Sequence, residues 1–142
     1  MNSYVIRREL HPVAVLALDE ICFPTDYRVN VDGAFWWIVW HGKEAVGYAG
    51  LRPCQLSCNA GVGFLNRVGV VAKHRGNGLQ KRLIRVREAA ARAMKMSELV
   101  TYCMGWNCAS VNSLIACGYK FYGPETKYGG AEAVYLRKTL CR

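Results

Sequence analysis

The chain has 142 residues, 52% of them apolar and 20% charged, which describes a globular domain with enough length to bury a core and excludes a disordered or disulfide-stapled class. No apolar run reaches the length of a membrane span, and Met1–Glu9 lacks the pattern of a signal peptide, so a single domain over residues 1–142 in the cytoplasm is expected, with no membrane partner. A formal charge of +9 and a pI near 9.4 favour an anionic partner.

Ser3 to Leu10 reads as an edge-like strand in which Tyr4, Ile6 and Arg8 alternate with Val5 and Arg7. Pro12 suits a first helical turn, and Val15, Leu16, Leu18, Asp19 and Ile21 continue a helix that ends before Pro24. Thr25 to Gly33 is polar, a loop or short helix. Phe35 to Trp40 is a strand, His41 to Glu44 a hairpin turn, and Ala45 to Leu51 the returning strand. Trp36, Trp37 and Trp40 suggest a base-stacking platform or, by strand alternation, core packing, and the packing reading is preferred. Arg52 to Gly61 is a loop or strand end. Gly63 to Val71 is a strand leading into the turn Arg75-Gly76-Asn77-Gly78.

The helix after that turn places Leu79, Leu83, Val86, Ala90 and Met94 on one face and Lys81, Arg85, Glu88 and Arg92 on the other. Leu99 to Met104 is a further strand. Asn107 or Ser110 caps a short helix over Val111 to Cys117, Gly118 ends it in the left-handed conformation, and Lys120 to Tyr122 with Ala133 to Lys138 form a closing strand pair.

Strand, glycine turn and helix together make an anion site. The first amides of a helix lack intrahelical acceptors, its dipole is positive there, and glycines let an anion approach the backbone. Lys73, Arg75, Lys81 and Arg82 add charge. Between Lys73 and Lys95, Arg85, Arg87 and Arg92 also stand against Glu88 alone; this excess is a solvated face, a neutraliser of phosphates, or a surface for nucleic acid or an acidic protein. Two phosphate-loop patterns are excluded by the letters. No Gly-x-x-x-x-Gly-Lys-Ser/Thr run exists, and Gly61-Val-Gly63 is followed by Asn66 where a dinucleotide fingerprint needs glycine.

Seven cysteines, an odd and scattered set, read as reduced and mostly buried thiols. Cys54 with Cys58 and Cys103 with Cys108 are four imaginable zinc ligands without the usual spacing, so no metal is expected. His11, His41 and His74 build no recognisable nucleophile–base arrangement; His74 is read as a phosphate neighbour or a bystander.

Arg75-x-x-Gly78-x-Gln80, preceded by Val68-Gly69-Val70, resembles the acetyl-CoA-binding motif of the GNAT superfamily of N-acetyltransferases, Gln/Arg-x-x-Gly-x-Gly/Ala, with Gln80 departing at the last position. Asn107-x-x-Ser110 followed by Gly118-Tyr119 resembles the family's second signature. The resemblance implies an α/β (α+β) fold, a mixed and mostly antiparallel sheet of about six or seven strands flanked by helices. It implies acetyl-CoA as co-substrate, with Val68, Gly69 and Val70 on the pantetheine arm. It also implies Arg75, Gly76, Asn77, Gly78, Leu79 and Gln80 at the pyrophosphate, and Asn107 and Ser110 as further coenzyme-side residues.

Acetyl transfer requires a neutral amine, a polarised thioester carbonyl, alignment, and a protonated leaving thiolate. The resemblance supplies a main-chain N–H near Val70 for the carbonyl. Many members carry an acid on the strand before the turn, but no Asp or Glu lies between Glu44 and Glu88. A base then comes from Asp32, Glu44, Glu125 or Glu132, or Asn66 positions a water. The tyrosine that often protonates the thiolate falls at Leu114, leaving Tyr119, Tyr122 and Tyr128 as substitutes; Tyr119, Tyr122 and Asn66 are the catalytic candidates. The expected activity is direct acetyl transfer to a primary amine, of a small molecule or of a lysine or N-terminus, including that of an acidic protein, by a monomer or homodimer. The rival readings are a coenzyme-binding regulator and a basic nucleic-acid-binding module.

Overall fold

A computed structural model describes residues 3–54 and 61–140. Its elements run β1 (Tyr4–Glu9), α1 (Val13–Cys22), β2 (Phe35–His41), β3 (Glu44–Pro53), β4 (Val62–Val70), a 3₁₀ turn (Ala72–His74), α2 (Leu79–Ala93), β5 (Glu98–Met104), α3 (Cys108–Ala116), β6 (Lys120–Phe121) and β7 (Ala133–Thr139). The strands form one seven-stranded sheet in the order β1-β2-β3-β4-β5-β7-β6. It is mixed: β1–β2, β2–β3, β5–β7 and β6–β7 pair antiparallel and β4–β5 parallel. By contacts the chain divides into two compact units, residues 1–52 with 66–83, and residues 53–65 with 84–142.

In the first unit the β2–β3 hairpin turns over His41–Glu44 as expected, with Gly42 and Lys43 as its two central residues. Gly42 adopts a φ of +62° and His41 already pairs with Glu44. Alternation in β2 sends Trp36 and Ile38 against Val15 and Leu18 of α1 and Tyr48 of β3, with Trp40 half-buried at the rim. The Trp36 indole donates to the Val31 carbonyl at 3.1 Å. Trp37 is buried as well, so these tryptophans are core and not a stacking platform. Each such side chain contributes roughly 2–3 kcal/mol of burial, which no exposed base platform would recover.

In the second unit β5 and β7 pair over their full lengths, from Glu98 opposite Thr139 to Met104 opposite Ala133. Asn107 caps α3 by accepting from the Ser110 amide at 3.3 Å, so the helix begins at Cys108, earlier than its apolar residues suggested. Gly118, at φ +96°, ends it.

Helix α2 differs from its expected pattern. Leu79 and Leu83 are buried as foreseen, but the inward arc continues through Ile84, Arg87, Glu88 and Ala91, while Val86, Ala90 and Met94 are half-buried. Glu88, assigned to the solvent face by period, is 1% exposed. Within the second unit its two oxygens meet Lys138 of β7 at 3.0 Å and Arg85 at 3.2 Å. A burial that period alone forbids is permitted because each oxygen finds a cation.

Candidate active site

The candidate anion site lies where β4 ends. The Val71 amide leaves β4 to bond the Val46 carbonyl of β3 at 2.8 Å, and the His74 and Arg75 amides close the 3₁₀ turn on Val71 and Ala72. The Arg75 side chain folds back, its Nε donating to the Val70 carbonyl at 3.0 Å. Asn77 Nδ2 donates to the His74 carbonyl at 2.9 Å, fastening the far side of the loop to its start. Gly76 and Gly78 sit at φ +81° and +72°, a region costly to any residue with a Cβ. A Cβ built at either glycine meets no atom within 4 Å, so their faces are open. The loop then enters α2, whose first turn closes with Arg82 N on Gly78 O at 3.2 Å.

These observations place Arg75, Gly76, Asn77, Gly78, Leu79 and Gln80 as one exposed loop and helix start in the first unit. Leu79's side chain is buried, so only its amide faces the loop. Lys73, Lys81 and Arg82 lie on the exposed side, Lys73 in a 3.4 Å ion pair with Glu44. The combination of donors, helix dipole and cations suits a phosphate ester.

Along β4, Gly69 has a packing role of its own. A Cβ there would come within 2.5 Å of the Tyr48 ring and 3.1 Å of Cys22, so the strand passes directly over both. The Tyr48 hydroxyl in turn donates to Asp19 Oδ1 at 2.5 Å. Asp19 is fully buried, also accepting from Arg67 Nη1 at 3.0 Å and the Val29 amide at 3.1 Å. Arg67 continues over the Phe23 ring and reaches the Tyr27 carbonyl at 3.3 Å. Burial and the Asp19 contact push the Tyr48 phenol pKa far up, so it remains a donor. Asp19 thus joins α1, the loop after it, β3 and β4. In the sequence it is one residue of the expected first helix, and its spacing of four from Val15 is the signal that puts it on the buried face.

The proton-transfer candidates are less concentrated. Asn66 is buried on β4. Tyr119 is a core residue of the second unit; its hydroxyl makes no hydrogen bond of good geometry, and burial together with the Glu88 carboxylate pushes its phenol up. Tyr122 is half-buried, its hydroxyl 3.4 Å from that of Tyr128. Burial raises both phenols. Leu114 is buried. Asp32, Glu44, Glu125 and Glu132 are all exposed; among the described residues Asp19 and Glu88 are the buried carboxylates, each already satisfied by cations.

Asn107 and Ser110 bond each other in the α3 cap. No group of three or more His, Cys, Asp or Glu able to hold a metal occurs among the described residues, and Cys58 lies outside them. No described helix is long and apolar enough to cross a membrane.

Comparison with solved structures gives the same architecture at low identity. The IAA acetyltransferase of Bacillus cereus ATCC 14579 superposes with a TM-score of 0.78 at 16% identity, covering 97% of this chain and 100% of that one. Salmonella typhimurium yncA, solved with its cofactor acetyl-CoA, gives 0.77 at 18%, covering 99% and 95%. A Bacillus subtilis acetyltransferase in complex with CoA gives 0.76 at 14%, covering 98% and 100%. No curated protein matches the sequence. The model of the acetyltransferase (GNAT) family does match, over residues 5–119, and so takes in β4, the glycine loop, α2 and the Asn107 cap. A strand that ends in an open, cationic glycine loop is what acetyl-CoA-dependent transfer asks of a fold, and this chain belongs to the acetyltransferase (GNAT) family.

Proposed function

We propose that the chain works as one GNAT domain that moves the acetyl group of acetyl-CoA directly to a primary amine. The observation that carries the coenzyme half is the open loop at Gly76 and Gly78, with left-handed φ at both and, among the described residues beyond their chain neighbours, no atom within 4 Å of a Cβ built at either. Main-chain amides of residues 76–80 hold the diphosphate, and Arg75, Lys73, Lys81 and Arg82 supply counter-charge. Val68, Gly69 and Val70 present their backbone to the pantetheine arm, and an amide near Val70 polarises the thioester carbonyl. Asn107 and Ser110 remain coenzyme-side residues of the second unit on the family motif.

The acceptor half is argued from what surrounds it. Asp19 is not open to an acceptor, because it is buried and Tyr48, Arg67 and the Val29 amide already occupy its oxygens. The amine therefore arrives neutral or loses its proton through a water held at Asn66, and alignment supplies much of the rate. Of the tyrosines we take Tyr122, half-buried where Tyr119 is enclosed, as the candidate that returns a proton to the thiolate. The charge of +9 favours an acceptor with acidic surroundings, a protein N-terminus or lysine among them, in the cytoplasm.

Calorimetric titration with acetyl-CoA tests the site. Gly78→Trp fills the open face and strains φ, and Arg75→Glu reverses the charge; both should abolish measurable binding. Unchanged affinity in both variants would remove the loop from the coenzyme site. Coenzyme release against amines, peptides and protein N-termini then identifies the acceptor.

A further inference from the structure

Tyr4, on the edge strand β1, touches both ends of the glycine loop. Its hydroxyl lies 3.0 Å from Nδ1 of His74, the residue immediately before Arg75. Its main-chain carbonyl accepts from Nη2 of Arg82, in the first turn of α2, at 3.2 Å. One residue of a neighbouring strand thus spans the loop from outside.

The contact is built in depth. Tyr4 stands opposite His41 in the β1–β2 register, and the rings of Tyr4, His41 and His74 pack together with centroids 5.0 to 5.7 Å apart. His74 is 8% exposed, and its carbonyl is the acceptor for Asn77 within the loop. A displacement of the imidazole would therefore pass through the His74 main chain to Asn77. Ordinary strand packing accounts for Tyr4 against His41, but it gives no reason for a buried imidazole whose backbone fastens the loop.

A loop with two glycines loses much conformational freedom when ordered, and an anion that has to order it binds more weakly than one that finds it formed. We infer that Tyr4 and His74 are positioning residues that hold the 75–78 loop in its diphosphate-receiving form before the coenzyme arrives. The inference rests on the reading of that loop as the diphosphate site.

The test uses the full chain with coenzyme A and inorganic pyrophosphate as probes, by calorimetry and by competition. Tyr4→Phe removes only the hydroxyl, and His74→Leu removes the ring nitrogen. Each should raise the dissociation constant of coenzyme A by roughly three- to tenfold, the worth of one hydrogen bond, and that of pyrophosphate by the same factor. His74→Asn offers an amide where Nδ1 stands and should restore affinity. Should His74→Leu fail to fold, Tyr4→Phe alone carries the test. Pantetheine, which lacks the diphosphate, is the control, and its binding should not change in Tyr4→Phe. Equal losses for pantetheine and coenzyme A, or no loss in Tyr4→Phe, would overturn the positioning role while leaving the diphosphate site intact. If the unaltered protein binds pantetheine as tightly as coenzyme A and pyrophosphate does not compete, the diphosphate site falls and this inference with it.

Discussion

Asp19 is fully buried, and the cost of burying its carboxyl is offset by the donors that meet its two oxygens: Tyr48, Arg67 and the Val29 amide. Asp19→Ala leaves Arg67 without its buried counter-charge and the Tyr48 hydroxyl without an acceptor, and should cost about 3–5 kcal/mol in urea unfolding. Gly69→Ala acts on the same spot from the other side. The added methyl meets the Tyr48 ring at 2.5 Å and forces it off Asp19, at about 1–3 kcal/mol. Because the two changes share Tyr48, their costs should fall short of additivity in a double-mutant cycle. A sum within about 0.3 kcal/mol would show that Asp19 and Gly69 are independent. The glycine stands in the sequence as a motif position expected to face the coenzyme, whereas the packing need for it lies in the Tyr48 ring twenty-one residues earlier, which no motif reports.

Helix α2 shows how far periodicity reads and where it stops. Its start, its length and the burial of Leu79 and Leu83 were legible, since they follow from 3.6-residue spacing and the glycine turn. Glu88 was not, because what buries it is Lys138, fifty residues away on β7, whose Nζ also bonds the Cys117 carbonyl at the end of α3 at 2.7 Å. Arg87 beside it is pushed down to about 10 by burial. For Glu88, burial by itself would raise the carboxyl, but Lys138, with Tyr119 and Arg85, outweighs it and holds the pKa below the ordinary 4.5. A carboxyl that is more acidic folded than unfolded contributes stability that is complete above pH 4.5 and is lost as pH falls through the depressed folded value. Glu88→Gln should therefore lower stability near pH 7 by about 3 kcal/mol and flatten the acid limb of the stability–pH curve. An acid limb of unchanged slope would assign that limb to other carboxylates. Losing the α3 cap is a smaller matter: Asn107→Ala should cost about 1 kcal/mol, independent of pH in the same range.

Across the whole chain, nineteen Lys and Arg against ten Asp and Glu set a positive field that no single contact explains. Composition showed the excess but not its use, and the structure divides it. Arg87 is buried, the half-buried Arg67 is paired with Asp19, Lys138 is tied to Glu88, and Arg8 lies over the Phe35 ring at 4.4 Å. Lys73, Arg75, Lys81 and Arg82 stay on the exposed side of the loop. If the field serves the coenzyme, its effect belongs to the phosphates. Affinity for coenzyme A should then fall several-fold between about 0.05 and 0.5 M salt, as the Debye length shrinks from roughly 14 to 4 Å, while pantetheine binding stays level. Lys81→Glu, a change on the exposed face, should reduce both the affinity and its salt dependence without altering the melting temperature. A basic surface meant for nucleic acid predicts a different outcome: DNA or RNA binding with a steep salt slope that saturating acetyl-CoA does not disturb. Measuring both titrations on one preparation separates the two uses of the charge, since coenzyme bound over residues 75–82 would neutralise the cations that a polyanion would need.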